Sequence, residues 1–212
     1  MKEKLLIIGA SGHGKVVADI ALKMNKWKSI AFLDDDETVK SSMGIEVVGK
    51  SLDAFKHIQD CDLFVGIGNN VTRETIQEKL ETEGASLPTL IHPATVIGDQ
   101  VELGVGTVVM AGVVVNCCTE IGKGCIVNTG ATIDHDNLVG DYVHISPGVN
   151  LAGMVKIGKG SWLGIGSSVS NNINITGGCN VGAGAVVVKD ITEAGVYVGV
   201  PVRRVNDGWQ RF

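Results

Sequence analysis

The sequence predicts a chain in two parts: residues 1–90 as a small α/β domain with a covered parallel sheet, and residues 91–212 as a parallel β-helix of six-residue repeats with a C-terminal tail. Two observations carry this. From position 97 to 192 every sixth residue is aliphatic, in the unbroken series Ile97, Leu103, Val109, Val115, Ile121, Val127, Ile133, Val139, Ile145, Leu151, Ile157, Leu163, Val169, Ile175, Val181 and Val187. Ahead of that series, apolar runs that end in glycine or acidic clusters alternate with helical patterns. The length agrees, since about 90 residues suffice for a small core of their own.

The first element is Leu5 to Ile8, a continuous apolar run ending at Gly9. The glycine-rich turn GASGHG follows, then a helical pattern from Lys15 to about Lys26. Ser29 to Leu33 is a second run, ending in Asp34, Asp35 and Asp36; Asp62 to Ile67 is a third, ending in GIGNN, and Thr72 to Glu83 again reads as a helix. Strands alternating with helices indicate a parallel sheet whose ligands sit at the carboxyl ends of the strands. Those ends carry Gly9 to Gly14, Asp34 with Asp35, and Gly66 to Asn70.

The glycine loop is not a Walker A loop, because Val16 stands where a hydroxyl is needed. Nor is it the dinucleotide fingerprint, since Gly9, Gly12 and Gly14 read G-x-x-G-x-G. What remains is a turn that aims backbone N–H groups and a helix N-terminus at a phosphate or nucleotide. His13 would face whatever the loop holds, and Asp34 and Asp35 could accept hydrogen bonds from a ribose or a base edge. A structural His13 and a solvated acidic turn are the plainer alternatives. His57 is expected at the surface, and His92, before Pro93, as a linker or packing residue.

In the repeats the aliphatic side chain points inward, and the slot after it is often glycine (Gly98, Gly104, Gly122, Gly140, Gly158, Gly164, Gly182), read as room for the backbone to turn. The slot four after the aliphatic is again apolar or small in most repeats, as at Val113, Cys125, Ala131, Val143, Val149 and Val155. Neither a helical period of 3.6 nor a strand period of 2.0 fits. Three hexads close a coil, so sixteen give about five coils, a prism roughly 25 Å tall at the usual strand spacing. Its interior should be a dry aliphatic column, stabilised by about 0.8 kcal/mol per buried CH₂.

Against that frame the polar residues stand out. His135, third in its hexad and flanked by Asp134 and Asp136, and His144, sixth in the next, fall on corners or outward faces. An imidazole with a pKa near 6.5 is partly neutral at pH 7, and a neighbouring carboxylate fixes its tautomer and strengthens it as a proton acceptor, so His135 is the candidate general base. Asp136 is nearer in sequence, but adjacent side chains on an extended face point apart, and the corner geometry decides between it and Asp134. Cys117 and Cys118 stack one coil below His135 and Asp136, without a known metal-ligand spacing, and no metal is expected.

The stretches IIGASGHGKVVADIA, FLDD, GIGNN, LIHPAT, NTGATIDHDNLVGDYVHISPG, LGIGSSV, VGAGAVVVKD and VYVGVPVRRV together resemble one branch of the hexapeptide-repeat acyltransferases, the sugar acetyltransferases that join a Rossmann-like domain to a left-handed β-helix. These include the bacterial UDP-4-amino-sugar N-acetyltransferases of the bacillosamine pathway and the sialic acid O-acetyltransferases. The resemblance supplies the handedness. It also implies a homotrimer, acetyl-CoA as cosubstrate in a groove between two β-helices, and a UDP-amino sugar whose nucleotide is held by the N-terminal domain.

On the same ground the base falls on His135 with the acid Asp136, His144 lies near the acetyl group, Asn128 near the sugar amine, and Gly153 offers a backbone N–H to the thioester carbonyl. His13, Asp34 and Asp35 fall on the nucleotide side, and Arg203 and Arg204 are placed to reach CoA phosphates or are plain surface charge. Two departures matter: the acid beside His135 is Asp where some relatives have Glu, and Trp162 is bulky for an outward slot near the coenzyme. The implied activity is transfer of acetyl from acetyl-CoA to the 4-amino group of a UDP-4-amino-4,6-dideoxy-hexose. A sialic acid hydroxyl, a GDP-amino sugar, or a catalytically silent nucleotide-binding scaffold are the alternatives.

A net charge of −5 without a basic block argues against a nucleic-acid partner. No apolar run has the length of a membrane span and MKEKLLIIGA leads into a strand, so membrane insertion is not expected. Five cysteines without a framework spacing fit a reducing, cytoplasmic setting. Outward apolar residues, among them Val108, Met110, Val114, Cys117, Ile126, Met154 and Trp162, are more than a solvated monomer would show and favour association.

Overall fold

The computed structural model describes residues 2–205, in two compact units, the first running to Pro93 and the second beginning at Ala94. In chain order the first unit comprises β1 (Lys4–Ile8), α1 (Gly12–Met24), β2 (Ser29–Leu33), the short hairpin β3 (Ser41–Ser42) and β4 (Ile45–Glu46), a 3-10 helix over Ser51–His57, β5 (Cys61–Val65) and α2 (Asn70–Thr82). β1 is the centre of a parallel sheet, with Lys4 opposite Ser29 on one side and Cys61 on the other. The apolar runs become strands because both faces of the sheet are covered: all of β5 is buried and all of β1 beyond Lys4. A buried acid, Asp62, is satisfied by the Trp27 indole N–H at 2.8 Å and the Ser86 hydroxyl at 2.7 Å.

Helix α1 starts at Gly12, three residues before its apolar pattern begins, so His13 lies in its first turn rather than in the loop. The turn itself is Gly9 to Ser11, with Gly9 at φ 100°. Gly14 has no room for a side chain, since a Cβ would overlap the Gly9 carbonyl oxygen.

The second unit is a left-handed parallel β-helix. Each flat side of a coil is only two residues of strand, and each residue pairs with the one eighteen further on: Val114 with Thr132 and then Asn150, Val115 with Ile133 and then Leu151. Every aliphatic slot from Val109 to Val187 is buried, whereas Ile97 and Leu103, in the first coil, are half-buried. After Val187 the coil gives way to Gly195–Val198, parallel to Cys179–Val181 and antiparallel to Arg203–Val205.

Three expectations need correction. The glycine after the aliphatic slot is not where the backbone turns: at Gly164 an added Cβ would lie 2.6 Å from the Ala183 backbone nitrogen, so the residue is small because the next coil presses on it. The left-handed turn falls two positions later, at residues with positive φ that include Cys118 (58°), Asp136 (57°), Tyr142 (56°), Met154 (62°) and Asn172 (60°). The interior is not wholly aliphatic either, because Thr107, Thr119, Asn137, Ser161 and Ser167 occupy inward slots and are fully buried. Lastly, Val108, Met110 and Ile126 are no exposed apolar surface; they are 1%, 2% and 0% exposed within the single chain.

Candidate active site

The corner at residues 134–136 answers the question of which acid orients His135. Asp136 does: its Oδ2 lies 2.6 Å from His135 Nδ1. Neighbouring side chains meet here because Asp136 sits in the left-handed region, where the alternation of an extended strand no longer applies. Asp134 is occupied elsewhere, its Oδ1 accepting from the His135 backbone N–H at 2.9 Å and the Asn116 side-chain amide at 2.8 Å. Those bonds hold the Asp134 carboxyl below its ordinary range, while the hydrogen bond to Asp136 raises the imidazole pKa of His135.

Both members of the pair are about half-exposed. With Nδ1 committed, Nε2 is the free proton acceptor, and it lies against Gly153 in the following coil, where an added Cβ would fall 2.7 Å from both Nε2 and Cε1. The absence of a side chain at Gly153 is therefore what leaves room for the imidazole. Sequence reasoning placed Gly153 near the reacting groups and missed this steric role.

His144 is not the open outward group expected. It is 6% exposed, in a strand stacked on Trp162 with ring centroids 4.1 Å apart and planes at 40°. Pairing of residues eighteen apart puts the two rings in one column, which accounts for the bulky Trp162: it covers His144. Asn128 joins this group, its Nδ2 at 3.3 Å from His144 Nε2. Its Oδ1 accepts from the Thr129 N–H at 2.8 Å, which fixes the amide so that nitrogen faces the imidazole, and His144 Nε2 is then the acceptor.

In the first unit, His13 is half-buried, and its Nε2 is enclosed and makes no hydrogen bond among the described residues. Burial, helped by the charge of Arg73, pulls its pKa down to about 4, so the ring is neutral near pH 7. Arg73 itself is fully buried, its guanidinium donating to the Ile67 and Gly68 carbonyls and to Asn70 Oδ1. Asp34 is engaged in holding the glycine loop, with Oδ2 accepting from the Ala10 N–H at 2.7 Å and Oδ1 from the Asp36 N–H at 2.9 Å. Asp35 Oδ1 accepts from Ser51 at 2.9 Å. Neither acid is the freely solvated turn of the plainer reading, and each keeps only part of its acceptor capacity for a ligand.

Arg204 is paired with Glu193 at 2.7 Å and donates to the Ala194 carbonyl, whereas Arg203, among the described residues, donates to its neighbour's carbonyl, at 2.9 Å from Val202. On the flank that follows the His135 corner, a broad hollow of about 880 Å³ runs across Gly104, Gly122, Gly140 and Gly158 between Glu120 and Lys156. Among the described residues no cluster of three or more His, Cys, Asp or Glu is arranged to hold a metal ion, and no helix is long and apolar enough to cross a membrane.

Residues 4–80 match the model of the PglD N-terminal domain. The acetyltransferase domain of PglB from Neisseria gonorrhoeae is 40% identical and superposes with a TM-score of 0.93, covering 96% of this chain and 100% of that one. The chain belongs to the hexapeptide-repeat acetyltransferases related to PglD. Another member solved with its ligands, a variant of perosamine N-acetyltransferase from Caulobacter crescentus in complex with CoA and GDP-perosamine, is 36% identical with a TM-score of 0.91, over 96% of this chain and 97% of that one. The UDP-N-acetylbacillosamine N-acetyltransferase of Bacillus subtilis is 33% identical over 112 residues, 51% of this chain and 52% of that protein. The match thus spans about half the length of this curated relative. The resemblance read from GASGHG and the NTGATIDHDNLVGDYVHISPG stretch led to the same family.

Proposed function

We propose that the chain transfers an acetyl group from acetyl-CoA to the amino group of a nucleotide-linked amino sugar, in the first instance the 4-amino group of a UDP-4-amino-4,6-dideoxy-hexose. The observation that carries this reading is His135 held through Nδ1 by Asp136, with Nε2 lying against Gly153. It is the arrangement of a general base beside a backbone that can approach a ligand closely. The amine nitrogen attacks the thioester carbonyl carbon, and His135 Nε2 takes the proton that the nitrogen loses. A backbone N–H at Gly153 would meet the oxyanion, and the carbon–sulfur bond breaks to release CoA. An acyl-enzyme is unnecessary, because a thioester is already activated and an amine is a good nucleophile.

His144 and Asn128, hydrogen-bonded and capped by Trp162, would orient the acetyl group and the sugar amine. In the N-terminal unit neutral His13 would line the nucleotide side without adding charge, and Asp35 retains one carboxylate oxygen for a ligand. Arg203 rather than Arg204 is the candidate for CoA phosphates, since Arg204 is already bound to Glu193. Relatives solved with acetyl coenzyme A and with CoA and GDP-perosamine support the class of both substrates.

The second of these also favours a specific alternative, a GDP-amino sugar. A thiol-release assay with UDP-amino sugars, GDP-amino sugars and sialic acids separates the readings. Turnover of the UDP-4-amino sugar is expected. Turnover with sialic acid alone would overturn N-acetylation, and no release with any acceptor would favour a silent scaffold.

A further inference from the structure

The corner that carries His135 is held from inside the coil by a side chain the hexad pattern does not anticipate. Asn137 occupies the inward slot four after Ile133, is fully buried, and uses its whole amide. Nδ2 approaches the carbonyls of Asp134 at 2.6 Å, Ala152 at 3.0 Å and His135 at 3.3 Å, and Oδ1 accepts from the Val155 N–H at 3.2 Å. Two donor hydrogens serve three acceptors, so one bond is shared.

Other inward polar side chains make part of this set and give a reference for it. Thr119 accepts the N–H eighteen residues on, from Asn137 at 3.3 Å, and donates to the carbonyl fifteen residues on, Asp134, at 2.9 Å. Thr107 makes the same pair of bonds, with Cys125 and Gly122. Asn137 repeats that bridge with Val155 and Ala152, then adds two bonds back to its own turn, and these fall on the carbonyls of the residues that flank and carry the imidazole. Ala152 precedes Gly153, the residue against which the His135 ring lies.

We propose that Asn137 is a positioning residue for the base, its buried amide clamping the His135–Asp136 turn to the Gly153 turn and so setting the gap in which the reacting groups meet. The proposal rests on His135 being the base. A coil needs only the bridge, which a hydroxyl supplies; the two extra bonds serve this corner.

Asn137→Thr separates the two roles, because threonine already occupies the same slot one coil earlier. The charged groups at this corner are Asp134 and Asp136 on its own turn; stacked on it are Cys117 and Cys118 in the coil before and uncharged Ala152, Gly153 and Met154 in the coil after. In the full-length variant the melting temperature should stay within about 5 °C of the parent, while kcat falls about tenfold with KM for acetyl-CoA nearly unchanged. The NMR titration of the His135 ring should move to lower pH as its bond to Asp136 loosens.

Unchanged kcat with an unchanged titration overturns the proposal, as does a fall in melting temperature with both of these intact. Asn137→Ser serves if threonine does not fit. Should neither variant fold, side-chain amide exchange in the parent decides: protected Asn137 protons uphold the clamp and rapid exchange overturns it. Full activity in His135→Ala would overturn the base assignment instead, leaving the titration shift as the separate test of the clamp.

Discussion

At the scale of single residues, the chemistry depends on which nitrogen of His135 is free. Because Asp136 takes Nδ1, the base acts through Nε2 and must be neutral, so kcat/KM should rise with pH through a pKa lying above that of a free imidazole. Asp136→Asn removes the main cause of that elevation, and the acid limb should move to lower pH while the plateau rate drops. His135→Ala should lower kcat by about 10² to 10⁴ with the fold intact, since the side chain is half-exposed. Near-full turnover where chemistry limits the rate would exclude it as the base. His13 gives a stability forecast of opposite character. Its folded pKa of about 4 lies below the ordinary 6.5, so the unfolded chain binds the extra proton between those values and stability falls as pH drops through that window. The loss is about 3 kcal/mol at full extent. Denaturant titrations should show His13→Asn flattening this part of the pH profile; an unaltered profile would mean that His13 is not held neutral. His135 could be picked out from the sequence as the candidate base and the resemblance put its acid on Asp136, but the residues alone could not choose between the two acids, because nothing in the order Asp134, His135, Asp136 reveals that the last adopts a left-handed turn.

At the scale of elements, a period of six was enough to recognise the coil, yet it merged two different requirements for small residues. One slot is small because a backbone lies against it, as at Gly164; another turns left-handed and tolerates asparagine, as at Asn172. These separate experimentally. Gly164→Ala places a Cβ 2.6 Å from the Ala183 nitrogen and should cost about 3 kcal/mol through forced displacement of a coil. Gly148→Asn, in open space at φ 66°, should change stability by less than about 1 kcal/mol. Equal effects in thermal or urea unfolding would remove the distinction. The same merging hid Asn137: its slot was read as apolar or small, and a polar residue there is the signal that could have marked it. In the first unit the helix boundary at Gly12 was similarly hidden, since GHG carries no apolar residue from which a helical period could be counted.

At the scale of the whole molecule, part of the apolar surface that the sequence assigned to association between chains belongs to the interior of one chain. Val108, Met110 and Ile126 are covered within a single chain and need no partner. Among the exposed apolar side chains that still ask for cover, two lie at this corner: Met154, 52% exposed in the residue after Gly153, and Leu138, 39% exposed in the strand that follows the His135 corner. Both are large apolar side chains beside the candidate base, and the flank of Leu138 carries the glycine-lined hollow. A cyclic trimer would bury such a flank three times over and create three equivalent clefts, each with its base at the rim. Light scattering or sedimentation should therefore give about three times the 22.2 kDa chain mass. Activity should fall faster than in proportion on dilution below the concentration at which the trimer dissociates, because a lone chain would keep its His135–Asp136 pair but lose the opposite wall of the cleft. A strictly monomeric chain with full activity at assay concentration would overturn both the trimer and the placement of acetyl-CoA between subunits.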